Sequence, residues 1–440
     1  MPHCQILLHA ARIVTQDAER HVLDSASMAI DHGLISDIGT TDEMTRRWQA
    51  DTCLNLGKSL ILPGLINAHT HVAMTILRGL ADDMPLMDWL NKRIFPVEHH
   101  LTPRLVRLGS LLGFAEMLRT GTTACTDMYI FEADVLEAAA TAGLRCLAGE
   151  VVFAFPSAAC PTPTAALEAT RDLVSRYRGH DRLRVAVMPH SVYTTTPQIL
   201  AACRDLAAEL DLPLHIHLAE TPEETRVCLK AHGRRPIDYC RNLGLLELPC
   251  SLAHVVDVTE EELAVLHSHN AVVVHNPSSN MKLASGTAPV TSMLKHGMTV
   301  ALGTDGAASN NRLSIFTEMR RAALLHKLHT ANPVSLPART AFDMATLAGA
   351  RAFGDPRLGS LAPGQAADCV ALDLTEPNMQ PLHNEISQIV YSATGMETRL
   401  TMVAGEILYQ DGRFTRFDYP ALCEEIHDLQ HFLRKTAGLA

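Results

Sequence analysis

Between residues 63 and 359 the chain repeats one unit, a short apolar segment followed by a longer one whose apolar positions recur with the period of a helix. The short segments fall at 65–68, 122–127, 145–150, 184–190, 214–218, 251–254, 271–275 and 299–303. Between them lie helical stretches such as 103–119, 163–178, 197–210, 223–232, 259–269, 290–296 and 312–328, several opened by proline or by Thr and Asp caps. Eight strand–helix units in about 300 residues suit a (β/α)₈ barrel of the TIM type. An open doubly wound sheet is the alternative, but no Gly-x-Gly-x-x-Gly follows any early strand, so its usual ligand signature is missing.

The two ends of the chain read differently. Residues 5–9, 12–15, 27–31, 34–39 and 59–62 are short apolar runs broken by turns, with Asp31-His32-Gly33 as a hairpin signal. Residues 367–374, 388–391, 398–403 and 406–410 repeat the style, the last two joined at Ala404-Gly405. Together they predict a small β-sandwich built from both termini. The expected division is 1–62 and 361–440, the latter with a terminal helix, around a barrel at 63–360. A length of 440 residues with 47% hydrophobic content agrees with one large domain and a smaller companion.

A net charge of −11 and a pI near 6.1 argue against a nucleic-acid or anionic-membrane partner and favour a small molecule. Eleven cysteines without any Cys-x-x-Cys spacing read as free thiols in a reducing compartment. With no basic start, no long apolar leader and no 18-residue apolar run, a cytoplasmic protein is expected. A barrel of this size often self-associates, so a homo-oligomer, dimer or higher, is expected as well.

Barrel enzymes carry their chemistry at the C-terminal ends of the strands. The first strand ends in His69 and His71, whose i, i+2 spacing points both imidazoles to one side. The fourth ends in His190, the fifth in His217, the sixth in His254 and the eighth in Asp305. His69, His71, His217 and Asp305 supply three imidazoles and a carboxylate for one divalent metal, Zn²⁺ by preference, with room for a water that the metal can acidify. Glu220, three residues beyond His217, is placed to move that water's proton without binding the metal. His254 could orient the attacking oxygen, and His215 would stand behind the ligands.

The segment from Pro63 to His71 followed by Thr75-Ile76-Leu77-Arg78-Gly79, with His217-Leu218-Ala219-Glu220-Thr221, Asn276-Pro277-Ser278-Ser279-Asn280-Met281-Lys282-Leu283, and the stretch from Leu302 to Asn311, resembles the amidohydrolase superfamily. Within it the chain is similar to the methylthioadenosine and S-adenosylhomocysteine deaminases and triazine hydrolases. The stretch from Leu358 to Asp368 resembles the family's return into its composite β domain. The resemblance implies His69, His71, His217 and Asp305 as ligands of one metal and Glu220 as proton shuttle. His190 stands where binuclear relatives carry a carboxylated lysine, so one metal is implied.

The same resemblance implies that Glu98, nine residues after Trp89, binds the ribose hydroxyls of a purine nucleoside, with His190 as a second sugar-side contact. A paired acceptor discriminates strongly against a substrate lacking either hydroxyl. Relatives place an arginine for a charged 5′ tail near the end of strand three. This chain has Gly149-Glu150-Val151-Val152-Phe153-Ala154-Phe155 there, which favours a small thioether unless Arg171 or Arg176 reaches in. The expected activity is hydrolytic deamination at adenine C6 of 5′-methylthioadenosine, extending to S-adenosylhomocysteine and adenosine, with Glu220, His254 and Asp305 catalytic and Glu98, His190, Glu220 and Asp305 on the substrate. The competing readings are a guanine-type free-base deaminase or a triazine chlorohydrolase on the same metal site, and a noncatalytic barrel.

Overall fold

Four of the helix starts in this chain are Thr-Pro pairs. At Thr102, Thr162, Thr196 and Thr221 the threonine hydroxyl accepts the backbone N–H of the third helical residue, and the following proline takes the first helical position, where no N–H is needed. A capping box at Thr259 and Glu262 opens a fifth helix. These caps fix where each crossover helix begins and leave the short apolar segments between them to pair as strands. The computed structural model describes residues 1–436; residues 437–440, the end of the expected C-terminal segment, lie outside the described residues.

Eight strands follow in chain order: β1 (Leu65–Thr70), β2 (Thr122–Tyr129), β3 (Arg145–Val152), β4 (Leu183–Val185, resuming at Met188–Pro189), β5 (Leu214–Leu218), β6 (Cys250–His254), β7 (Val272–His275) and β8 (Val300–Leu302). Each pairs in parallel with the next, β4 reaching β5 through the Val187–Leu214 bridge. The seam from β8 back to β1 is closed by Asp305 N donating to His69 O at 3.0 Å and by the Asn67 amide, which bonds Thr304 through both its oxygen and its nitrogen. Gly303 is required in that seam, since a Cβ there would stand 2.4 Å from Asn276 Oδ1 and 2.8 Å from His69 Cβ. The (β/α)₈ expectation is met, and the strand ends converge on one mouth.

Strands between residues 3 and 63 and between 369 and 414 form one nine-stranded sheet, in which Ser59–Pro63 joins the two halves by pairing with His3–Val14 and with Cys369–Asp373. A bridge from Leu34 to Ala366 brings its far edge back, so the sheet wraps around Leu8, Met28, Ile30, Leu400 and Met402. The Asp31-His32-Gly33 turn is present, with His32 and Gly33 both at positive φ.

Three local expectations need correction. Residues 5–15 are not two runs but one strand, His3–Val14, because Val22–Asp31 pairs along its length. Residues 388–391 are not a strand: Gln388–Ser392 is a single wide helical turn that buries Ile389 and Val390 side by side. Gln49–Asn55 is a strand that no apolar alternation signals, being mostly exposed and held by parallel pairing to His3–Val14. Tyr419–Thr436 is the expected terminal helix, packed on Pro103–Arg119. Among the described residues no helix is long and apolar enough to cross a membrane.

Candidate metal and active site

The ends of β1, β5, β6 and β8 bring His69, His217, His254 and Asp305 together, all buried, with one side-chain ligand atom from each within 4.8 Å of the others. His71 joins them: its Nε2 lies 3.1 Å from Asp305 Oδ1 and 3.2 Å from His217 Nε2. His69 Nε2 is 3.4 Å from the same carboxylate oxygen.

The outer nitrogens show which atoms face inward. His71 Nδ1 donates to the Met128 carbonyl and His217 Nδ1 to the His190 carbonyl, so Nε2 is the inward-facing nitrogen of each ring. His69 Nδ1 bonds His215 Nε2 at 2.8 Å, and His215 Nδ1 bonds Ser251 Oγ at 2.6 Å, a relay that fixes the first ring from behind. His69 Nε2 is buried without any hydrogen-bond partner. A proton on His71 would relieve its contact with His217 but would leave that orphan nitrogen facing a carboxylate. A divalent cation serves all of these donors at once, and this is the test the residues pass.

Asp305 is oriented by its own shell. Ser279 and Ser309 hydroxyls donate to Oδ2 at 2.6 and 2.9 Å, leaving Oδ1 turned toward the imidazoles, where the backbone N–H of Gly306 also reaches it. Although burial opposes ionisation, the adjacent His69 and His71 rings hold its carboxyl well below the usual range. Burial pushes His69 down to about 4 and His190 down to about 3, keeping both neutral. At His71 burial acts the same way, but the bond to Asp305 and its charge override it and raise the group to about 9.

Glu220 is buried on the rim of this cluster, its backbone N–H bonded to Glu224 Oε2 at 2.8 Å and its Oε1 4.0 Å from His254 Nδ1. Burial raises its pKa, while the nearby His254 pulls the other way. His254 Nδ1 bonds Asn280 Oδ1 at 2.8 Å. Ala219, His254 and Asp305 all sit at positive φ, at 54°, 75° and 59°. A left-handed conformation costs a non-glycine residue about 1–2 kcal/mol, so three strand ends are bent at a cost to aim these side chains inward.

Above the cluster a cavity is walled by Met74, Trp89, Phe153, Tyr193 and Leu283, with His190 and Glu98 on its sides. Glu98 lies half-buried in the short helix Phe95–Glu98; burial pushes it up to about 6, partly offset by the Tyr129 hydroxyl. His190 is held by Thr194 Oγ1 at 2.9 Å. Of the residues expected at the site from the sequence, all but His69 line this pocket, and His69 is buried against Asp305 beneath it. Sequence reasoning left the role of the 276–283 segment open and did not foresee Ser309. That segment contains the short helix Pro277–Lys282, which aims Ser279 at Asp305 and Asn280 at His254 while Leu283 closes the cavity. The only available signal was the Ser/Asn-rich composition just after β7 and β8.

Residues 60–408 match the amidohydrolase family. The chain is 68% identical over its full length, and the relative's full length, to a 5-methylthioadenosine/S-adenosylhomocysteine deaminase of Desulfovibrio desulfuricans. It is 42% identical to a 5′-deoxyadenosine deaminase of Methanothermobacter thermautotrophicus over 88% of this chain and 90% of that one. Among solved structures, an adenosine deaminase of Xanthomonas campestris with bound zinc superposes with a TM-score of 0.96 at 34% identity, covering 99% of each chain.

Proposed function

The chain belongs to the amidohydrolase family, and from that premise we propose that it is a zinc-dependent deaminase of 5′-substituted adenine nucleosides, 5′-methylthioadenosine foremost, with S-adenosylhomocysteine and adenosine as lesser substrates. The observation that carries the reading is the placement of Glu98 and His190 on the wall of the same cavity that His71, His217 and Asp305 line, with His69 buried beneath them. A metal floor alone would suit many hydrolyses; a carboxylate set apart from it suits a ribose. The names of the relatives, one a deaminase of methylthioadenosine and one of 5′-deoxyadenosine, support the same substrate class.

His69, His71, His217 and Asp305 would hold the ion, and the zinc in the Xanthomonas structure supports its identity. The ion supplies Lewis acidity that brings a water's pKa toward neutrality. Glu220 would take a proton from the attacking water and deliver it to N1 of the adenine ring. Burial raises its pKa above that of an exposed glutamate, which favours its taking a proton. Asp305 is the weaker base, since two serine hydroxyls already occupy Oδ2. His254, fixed by Asn280, orients the oxygen that adds to C6. One water is consumed, one ammonia leaves, and the product is the inosine analogue. Glu98 accepts from the ribose hydroxyls, and His190 contacts the sugar from the opposite wall. A small-molecule partner also agrees with the acidic balance of the chain.

The test is ammonia release by zinc-loaded protein from methylthioadenosine, S-adenosylhomocysteine, adenosine and guanine. Turnover of the nucleosides with guanine inert is expected. Comparable turnover of guanine with none of the nucleosides would replace this reading with the free-base one, in which Glu98 has no ribose to hold.

A further inference from the structure

A second, solvent-open cavity of about 250 Å³ lies beyond Glu98 and shares Phe95, Glu98, Ile130 and Phe153 with the first. Its walls are aromatic. The Phe153 and Phe155 rings stack with centroids 4.8 Å apart, and Phe95 meets Phe155 edge-on at 5.5 Å. The loop that carries Phe155 is tied down, Ala154 N donating to Thr194 O at 2.8 Å and Ser157 N to Cys160 O at 2.9 Å. Asn91, His99, Pro156, Ser157 and Ala158 complete the lining, and among the described residues no lysine or arginine lines either cavity. Arg171 and Arg176 are spent elsewhere, on Glu209 and Glu137 at the outer helices. Glu150 also faces away, accepting the backbone N–H groups of Phe131 and Glu132.

We infer that this second cavity is the compartment for the nucleoside's 5′ substituent, and that the substituent it takes is uncharged and apolar, including alkylthio groups much larger than methylthio. The inference rests on the deaminase reading. If Glu98 holds the 2′ and 3′ hydroxyls at the junction, the 5′ carbon is left to continue into the adjoining space, which is far larger than a methyl group fills. Flat aromatic walls give a thioether sulfur and an alkyl chain good contacts. An amino-acid tail would carry an ammonium and a carboxylate into the same walls, where the carboxylate finds no lysine or arginine and one carboxylate, Glu98, stands at the entrance.

The experiment compares kcat/KM of zinc-loaded protein for 5′-methylthioadenosine, 5′-butylthioadenosine and S-adenosylhomocysteine, with adenosine as the substrate that has no 5′ substituent. Butylthioadenosine is expected within about threefold of methylthioadenosine, and S-adenosylhomocysteine at least about tenfold lower. Phe155→Arg, at a side chain 38% exposed with room for a guanidinium, is expected to shift the preference about tenfold toward S-adenosylhomocysteine. Parity of S-adenosylhomocysteine with methylthioadenosine, a collapse with the butyl group, or no shift in the arginine variant would each overturn the assignment. Loss of turnover on every adenine nucleoside, adenosine included, would instead refute the deaminase reading itself.

Discussion

Replacing Glu98 with glutamine keeps the shape of the side chain and removes its charge, which isolates what the carboxylate does. A hydrogen bond to a charged group contributes about 1.5–3 kcal/mol, a neutral one about 0.5–1.5, so two ribose hydroxyls lose together on the order of 2–3 kcal/mol, roughly 30- to 150-fold in kcat/KM. The pH dependence gives a sharper check. Glu98 is pushed up to about 6 by burial, so it is an anion at pH 8 and takes a proton as pH falls through that value. The wild-type KM for methylthioadenosine should therefore rise below about pH 6, while Glu98→Gln should sit at the raised value throughout and lose that limb. Steady-state ammonia release across this range, repeated with 2′,3′-dideoxyadenosine, is the assay. The dideoxy substrate lacks the hydroxyls and should show almost no difference between the two proteins. An equal loss with both substrates, or a loss below about threefold with methylthioadenosine, would refute the ribose role.

Other outcomes follow from the same geometry. Glu220→Gln should lower kcat by about 10²- to 10⁴-fold with zinc content unchanged, measured by turnover and metal analysis on one preparation. His215→Ala and Ser279→Ala remove the relay behind His69 and one donor to Asp305, and each should weaken zinc binding about 10- to 100-fold in a chelator competition. For Ser279→Ala the sign on pH is also set: with fewer donors Asp305 takes a proton more readily, so the acid limb of zinc binding should move to higher pH. Chelation should abolish turnover and lower Tm, and zinc at a hundred times its Kd should restore about 2.7 kcal/mol of stability, read by thermal melts.

Much of this site was legible because a barrel converts a one-dimensional regularity into a location. His69, His71, His217, His254 and Asp305 each end an apolar segment, and eight such segments in parallel can only point their ends to one mouth. The supporting shell was not legible in the same way. Ser309 and Asn280 reach Asp305 and His254 only because short helices begin immediately after β7 and β8, and no periodicity announces a helix of four or six residues. Gln49–Asn55 escaped notice for a related reason, since it is a strand by pairing and not by burial. The segment Gln388–Ser392 reads as a strand in the sequence because Ile389 and Val390 favour strands in isolation, and tertiary packing overrides that preference. The wall beyond strand three was half-visible: its apolar character is plain in Val151–Phe155, but the burial of Glu150 behind it is a three-dimensional fact.

The central claim is that this site adds water to adenine C6, and the most direct measurement follows the oxygen. Zinc-loaded protein turning over methylthioadenosine in heavy-oxygen water should place one labelled oxygen on the base of the product and release one ammonia with it. Ammonia released without label in the base, or label without ammonia, would contradict the account.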